Sequence, residues 1–316
     1  MRILVTGAEG FVGAWLIRRL LHAGHSVTGA IRLGGPVSSL LDERERLLVR
    51  WVEFDLLAPA TLDALARERA DGVIHLAAVA SGTDARHDPG LAWCVNAAGT
   101  ARLCEAFAQE RRLASADPVL VIASTGEVYG QGQGQPHREE DPLLPCSPYA
   151  SSKVGAEVAA LEVHRRTGLR VIVARAFPHT GPGQSEKYVV PALALRLRTA
   201  KRVKAPVIKT GNLDPVRDFL DVRDVVEAYL ALLERGAPGT VYNVAGGRGV
   251  SLREVLGRMS QLLGVAVIPE HDADLARPND IVHLVGDASR LEAATGWKPR
   301  IPFDRTLQDL LDAQAH

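Results

Sequence analysis

The sequence predicts an α/β fold: a doubly wound parallel sheet with helices on both faces, followed by a smaller C-terminal substrate-binding unit. Three observations carry this. Short apolar runs alternate with helical stretches from the N-terminus to residue 174, the pattern of a parallel sheet covered on both sides. A glycine triplet, Gly7, Gly10 and Gly13, separates the first such run from the first helix. After Ala174 the alternation stops and Gly and Pro become frequent, as Phe177-Pro178-His179-Thr180-Gly181-Pro182-Gly183 shows.

Residues 2–6 form the first strand, and the helix after the glycine turn shows Leu16, Ile17, Leu20 and Leu21 at helical spacing. Strand, glycine turn and helix together make a phosphate site of Rossmann type. The glycines permit a tight turn, close approach of the backbone to a pyrophosphate and close helix-to-strand packing, with Phe11 and Val12 opening the helix whose N–H groups face the ligand. The spacing is G-x-x-G-x-x-G in place of the more familiar G-x-G-x-x-G. The second strand, residues 26–31, ends in Ala30-Ile31-Arg32 with no acid to hold a ribose 2′-hydroxyl. Arg32 can pair with a 2′-phosphate, so the expected cofactor is NADP(H) ahead of NAD(H). Its other reading is a solvated loop charge.

Further strands are expected at 50–54, 72–76, 119–124 and 170–174, with helices near 61–69 and through Val95, Gly99, Leu103 and Phe107. Asp55 and Leu56 end the third strand, where an adenine amine would lie. His75-Leu76-Ala77-Ala78 end the fourth, where Leu76, Ala77 and Ala78 would line the cofactor. His75 alone reads as a hydrogen-bonded core histidine. A helix over 222–235 and a strand over 240–244 are expected to return to the sheet. Ser251-x-x-Glu254 reads as a capping box opening another helix. The expected division is 1–174 plus 213–244 for the dinucleotide unit and 175–212 plus 245–316 for the substrate unit. The Gly-Gln alternation over 130–135 reads as a flexible loop beside the site.

Composition bounds the function. With 37 basic and 37 acidic side chains the net charge is zero, which leaves no electrostatic footprint for nucleic acid or an anionic membrane. Cys94, Cys104 and Cys146 fit no metal or redox spacing, and reduced, buried thiols in a cytoplasmic protein are expected. The early first strand leaves no room for a signal peptide, and no apolar run has the length of a membrane span.

The chemistry centres on Ser147-Pro148-Tyr149-Ala150-Ser151-Ser152-Lys153. With Pro148 in the first turn of a helix, Tyr149 and Lys153 share one face, with about 5–6 Å between β-carbons. An ammonium there would lower a phenol pKa from about 10 and make Tyr149 a usable general acid or base. Taken alone, the pair is an ordinary helix start.

Its company is more specific. Thr6-Gly7-x-x-Gly10-x-x-Gly13, Asp55-Leu56, His75-Leu76-Ala77-Ala78, Asn96-Ala97-Ala98-Gly99-Thr100, Thr125 four residues before Tyr129, and Tyr149-x-x-x-Lys153 together resemble the extended short-chain dehydrogenase/reductases. Thr180 to Ser185, Gly211 to Phe219 and Gly296-Trp297-Lys298-Pro299 are similar to the GDP-4-keto-6-deoxy-mannose reductases among them. The resemblance implies Thr125, Tyr149 and Lys153 as the catalytic set, and Asn96 and Ala123 beside the cofactor. It implies a nucleotide-diphosphate sugar held by His179, Val190, Arg217 and Arg277, and a homodimer built on a four-helix interface. The activity it implies is NADPH-dependent reduction of a 4-keto nucleotide sugar. Glu127 matches the position from which related dehydratases remove a proton, so a 4,6-dehydratase or 4-epimerase is the alternative. A non-catalytic NADP-sensing protein is a remoter one. Pro178 departs from the pattern, standing where the family carries an asparagine that meets the substrate.

Overall fold

The computed structural model describes residues 1–113, 116–132, 134–275 and 280–313. Its centre is a seven-stranded parallel sheet made of β1 (Arg2–Thr6), β2 (Ser26–Arg32), β3 (Val49–Phe54), β4 (Gly72–His75), β5 (Val119–Thr125), β6 (Arg170–Ala176) and β7 (Val241–Val244), in the order β7-β6-β5-β4-β1-β2-β3. The central strands β1, β4, β5 and β6 are short runs, mostly Val, Ile and Leu, buried from both sides, while the edge strand β3 exposes Arg50 and Glu53. One face packs the Phe11–His22 and Val222–Arg235 helices through Leu16, Ile17, Leu20, Val225, Tyr229 and Leu232. The other packs Leu62, Leu103, Phe107, Ala160 and Val163.

The chain winds from β1 outward to β3, then crosses back to place β4 beside β1. That reversal opens a crevice at the carboxyl ends of β1 and β4, where open α/β sheets bind ligands. Register lines the ends up: Thr6 pairs with Ala30 on one side and His75 on the other. The regular alternation runs two residues past the expected end, since β6 continues to Ala176. The return to the sheet occurs as expected, with β7 pairing along β6.

A separate apolar cluster joins the Val189–Val203, Leu252–Leu263 and Phe303–Ala313 helices through Leu193, Leu197, Val255, Met259, Leu307 and Leu310. The small strands Val216–Arg217, Val250–Ser251 and His283–Leu284 form a sheet beside it.

Three expectations change. Ser251 caps its helix by accepting the Glu254 N–H, but the Glu254 carboxylate pairs with Arg258, so only half of the capping box forms. Gln131 is tied down, donating through Nε2 to the Asp280 carbonyl at 2.9 Å and accepting the Val282 N–H at 3.0 Å. A side-chain amide can clasp a neighbouring backbone in both directions, which composition alone does not reveal. Cys104 is buried, whereas Cys94 and Cys146 are exposed. Among the described residues no helix is long and apolar enough to cross a membrane.

Candidate active site

The glycine turn leads directly from β1 into the Phe11–His22 helix, whose start has no side-chain cap and no acid in its first turn. That is the arrangement of an anion site. Gly7 has φ +69°, and a Cβ there would stand 2.8 Å from the Ala77 nitrogen, so the turn is pressed against the exit of β4. Gly13 is needed for packing, because a Cβ would come within 2.3 Å of the Gly7 carbonyl oxygen.

Thr6 binds this junction together. Its carbonyl accepts the Leu76 N–H at 3.1 Å, and its Oγ1 accepts the Ala77 N–H at 3.3 Å and lies 2.7 Å from His75 Nδ1. On the other side of the ring, His75 Nε2 lies 3.1 Å from Thr100 Oγ1, whose proton goes to the Asn96 carbonyl at 2.6 Å. Thr100 therefore accepts from Nε2–H, which leaves Nδ1 to accept the Thr6 hydroxyl. Burial, helped by the Lys153 charge, pulls His75 down to about 3. It is a neutral core histidine, as the sequence suggested. Leu76, Ala77 and Ala78 follow it half-buried.

Asn96 lies in a π-helical turn, Cys94–Ala98, and clasps the loop after β4. Its Oδ1 accepts the Val79 N–H at 2.8 Å, and its Nδ2 donates to the Val79 carbonyl at 3.1 Å and to Ser152 Oγ at 2.9 Å. The cofactor side is thus fastened to the helix carrying Tyr149. At the end of β3, Asp55 Oδ1 accepts the Leu57 N–H at 2.8 Å, and Leu56 packs against Gly99.

At the end of β2 the Arg32 side chain is exposed. The strand carries no acid, as expected, yet the Glu9 carboxylate of the glycine turn accepts the Arg32 backbone N–H at 3.2 Å.

The Pro148–Thr167 helix is set by its first turn: Ser147 accepts the Ala150 N–H at 3.1 Å, Pro148 occupies the first helical position, and Gly168 ends the helix in the left-handed region. Tyr149 and Lys153, four residues apart, then share a face of this helix, with Tyr149 against Thr125 of β5, the strand that also holds the half-buried Ala123. The Tyr149 phenol hydrogen-bonds the Thr125 side chain, whose Oγ1 also accepts the Glu127 N–H at 3.2 Å. Burial first, and then the Glu127 charge, push the Tyr149 phenol above its ordinary value. This corrects the expectation that Lys153 lowers it. Lys153 is itself buried, which pulls its ammonium down to about 8 against the opposing pull of Glu157.

Sequence reasoning missed three contributors. Tyr188 and Tyr229 lie near enough to Tyr149 to help push its phenol up, and no motif marks Tyr188. The third is Glu157, four residues beyond Lys153, a spacing that could have found it. Its carboxylate pairs with Arg175 at 2.7 Å, both side chains at most 5% exposed, and accepts from Ser124. Arg175 also donates to the Tyr129 hydroxyl at 2.8 Å, and Tyr129 to Asn243 Oδ1 at 2.7 Å.

On the substrate side, Pro178 offers only its carbonyl, already accepting the Leu220 N–H at 2.9 Å. His179 donates from Nδ1 to the Phe177 carbonyl at 2.9 Å, which leaves Nε2 as an acceptor, and burial holds it below its ordinary value. Val190 lies in the apolar cluster of the smaller unit at 1% exposure. Arg217 pairs with Asp280 at 2.6 Å. Arg277 lies outside the described residues.

Comparison with known proteins extends over the same elements. A family model described as GDP-mannose 4,6 dehydratase matches residues 4–310. GDP-6-deoxy-D-mannose reductase of Pseudomonas aeruginosa is 34% identical over 98% of this chain and 96% of its own. UDP-glucose 4-epimerase of Mycolicibacterium smegmatis is 31% identical over 95% of this chain and 94% of its own. Among solved structures, RMD from P. aeruginosa complexed with NADPH superposes with a TM-score of 0.82 at 33% identity, over 99% of this chain and 98% of that one. With the glycine turn, the Tyr149 helix and the smaller unit all inside the matched span, the chain belongs to the GDP-mannose 4,6 dehydratase family, among the extended short-chain dehydrogenase/reductases.

Proposed function

We propose that this nucleotide-sugar oxidoreductase reduces a 4-keto nucleotide sugar with NADPH, and that GDP-4-keto-6-deoxy-mannose, giving GDP-6-deoxy-mannose, is its substrate. The observation that carries the reading is the buried Tyr149 phenol hydrogen-bonded to the Thr125 side chain, with burial holding it above its ordinary value. A carbonyl reduction needs a proton donor at the nascent alkoxide, and a phenol held above its ordinary value keeps its proton until that stronger base forms. The uncapped helix start and the tight Gly7 turn fit a dinucleotide pyrophosphate. The cofactor supplies the hydride. Tyr149 gives the proton, Thr125 hydrogen-bonds the developing oxyanion, and Lys153 holds the nicotinamide ribose. Gly7, Gly10, Phe11, Val12 and Gly13 take the pyrophosphate, and Arg217 and Arg277 take the sugar diphosphate. The sugar lies between the unit of residues 1–174 and 213–244 and the remainder. A homodimer through the helices around 95–107 and 149–163 is supported by the exposure of Val158 on the second of them and of Leu91 and Trp93 on the short Pro89–Trp93 helix that leads into the first; light scattering at micromolar concentration should give twice the chain mass.

The comparisons support the reductase through its relative in P. aeruginosa. The second reading, dehydratase or epimerase, is favoured by Glu127, whose charge reaches the Tyr149 phenol. Stoichiometry decides between them. With GDP-4-keto-6-deoxy-mannose and excess NADPH, one NADPH should be consumed per deoxysugar formed. Turnover of an unoxidised sugar nucleotide with no net change in nicotinamide absorbance would make Glu127 a base and sink the reductase reading.

A further inference from the structure

The end of β2 has no acid of its own, yet two carboxylates from other elements reach it. Glu9 accepts the Arg32 N–H through Oε1 at 3.2 Å, while its Oε2 is buried and has no hydrogen-bond partner. Glu53, on β3, accepts the Gly34 N–H at 3.4 Å. Arg32 is the only cationic side chain from residue 26 to residue 36.

A carboxylate oxygen left without a donor is costly, and such groups call for an explanation. In a dinucleotide fold the adenosine ribose sits at the carboxyl end of the second strand, where Glu9 and Arg32 meet. The terminal torsion of a glutamate is broad, so the Glu9 carboxylate can turn toward an arriving donor within its rotamer. A ribose 2′-hydroxyl brings that donor. A 2′-phosphate brings charge instead, which Arg32 attracts and Glu9 repels.

We infer that Glu9 is a specificity-determining residue for the coenzyme: it accepts the adenosine 2′-hydroxyl and resists the 2′-phosphate, narrowing the preference that Arg32 creates. The inference rests on the reading of the chain as nicotinamide-dependent. Glu9→Gln isolates it, because the amide keeps an acceptor for the Arg32 N–H and removes the charge.

The test is calorimetric binding of NADPH, NADH, 2′,5′-ADP and 5′-AMP to both proteins. Glu9→Gln should bind 2′,5′-ADP about tenfold more tightly, the effect of removing one like charge at about 6 Å under an effective dielectric near 40. Its affinity for 5′-AMP should stay level or fall by a few-fold. In the unsubstituted protein 2′-deoxy-NADH should bind at least about tenfold more weakly than NADH, as the loss of one hydrogen bond to a charged acceptor predicts. An unchanged ratio of 2′,5′-ADP to 5′-AMP affinity overturns the inference while leaving the coenzyme reading intact. Should Glu9→Gln fail to fold, equal binding of NADH and 2′-deoxy-NADH overturns it without any variant. Failure of both NADPH and NADH to bind the unsubstituted protein removes the coenzyme reading and this inference together.

Discussion

Replacing Glu157 by Gln should destabilise the protein and shift the working pH of its site at once. Arg175 and Glu157 are almost fully buried, and the substitution leaves the guanidinium without its counter-charge while its volume stays filled. Breaking a buried pair by removing one partner costs about 3–5 kcal/mol. The lower end applies, because Arg175 keeps its bonds to the Tyr129 hydroxyl and the Glu139 carbonyl and lies 4.9 Å over the Tyr129 ring. Unfolding entropy of about 2.1 cal/mol/K per residue gives about 0.7 kcal/mol/K for 316 residues. A loss of about 3 kcal/mol therefore lowers Tm by about 4–5 °C. Glu157 also opposes the depression of Lys153, so without it the ammonium falls further below about 8. The alkaline limb of kcat should move to lower pH by the same cause. Differential scanning calorimetry and a pH profile measure the two effects. A Tm change under about 1 °C, or a Glu157→Gln/Arg175→Met variant no more stable than the single one, would refute the reasoning, since an apolar pair should recover part of the loss.

Two further outcomes are expected. Tyr149→Phe should lower kcat by about a hundredfold or more and leave cofactor affinity nearly unchanged, because only the proton donor is lost; a near-normal kcat in steady-state assays would return the role to Thr125 or Glu127. Lys153 ionises near 8 when folded and near 10.5 when free, so between those values the unfolded chain holds more protons and this group's contribution to stability rises with pH. Denaturant midpoints of the unsubstituted protein, relative to Lys153→Met, should climb from pH 8 to 10.5; a flat difference contradicts the burial argument.

Local pattern revealed most of the architecture. Apolar runs and turn glycines located the strands of the sheet, because a central parallel strand buried on both faces reads as a short apolar run; the edge strand β3 alternates with the charges of Arg50 and Glu53. The Tyr149 to Lys153 face was legible from Pro148 and helical spacing. Effects that join distant residues were not. Burial and Glu127 outweigh Lys153 at the phenol, and Glu9 reaches Arg32 across 23 positions. Such contacts depend on strand register and on which side chains bury one another, and neither is written in a local window.

The position of β7 bears on how a nascent chain matures. β6 is apolar and almost wholly buried in the finished sheet, yet its outer neighbour is made only after the segment that builds much of the smaller unit. During synthesis at about 5–20 residues per second, β6 waits several seconds as an open edge with unpaired N–H and carbonyl groups. A ribosome stalled before residue 241 therefore releases a polypeptide whose exposed strand can pair with another copy. Four residues, Val241–Val244, separate a finished monomeric sheet from a template for edge-to-edge aggregation.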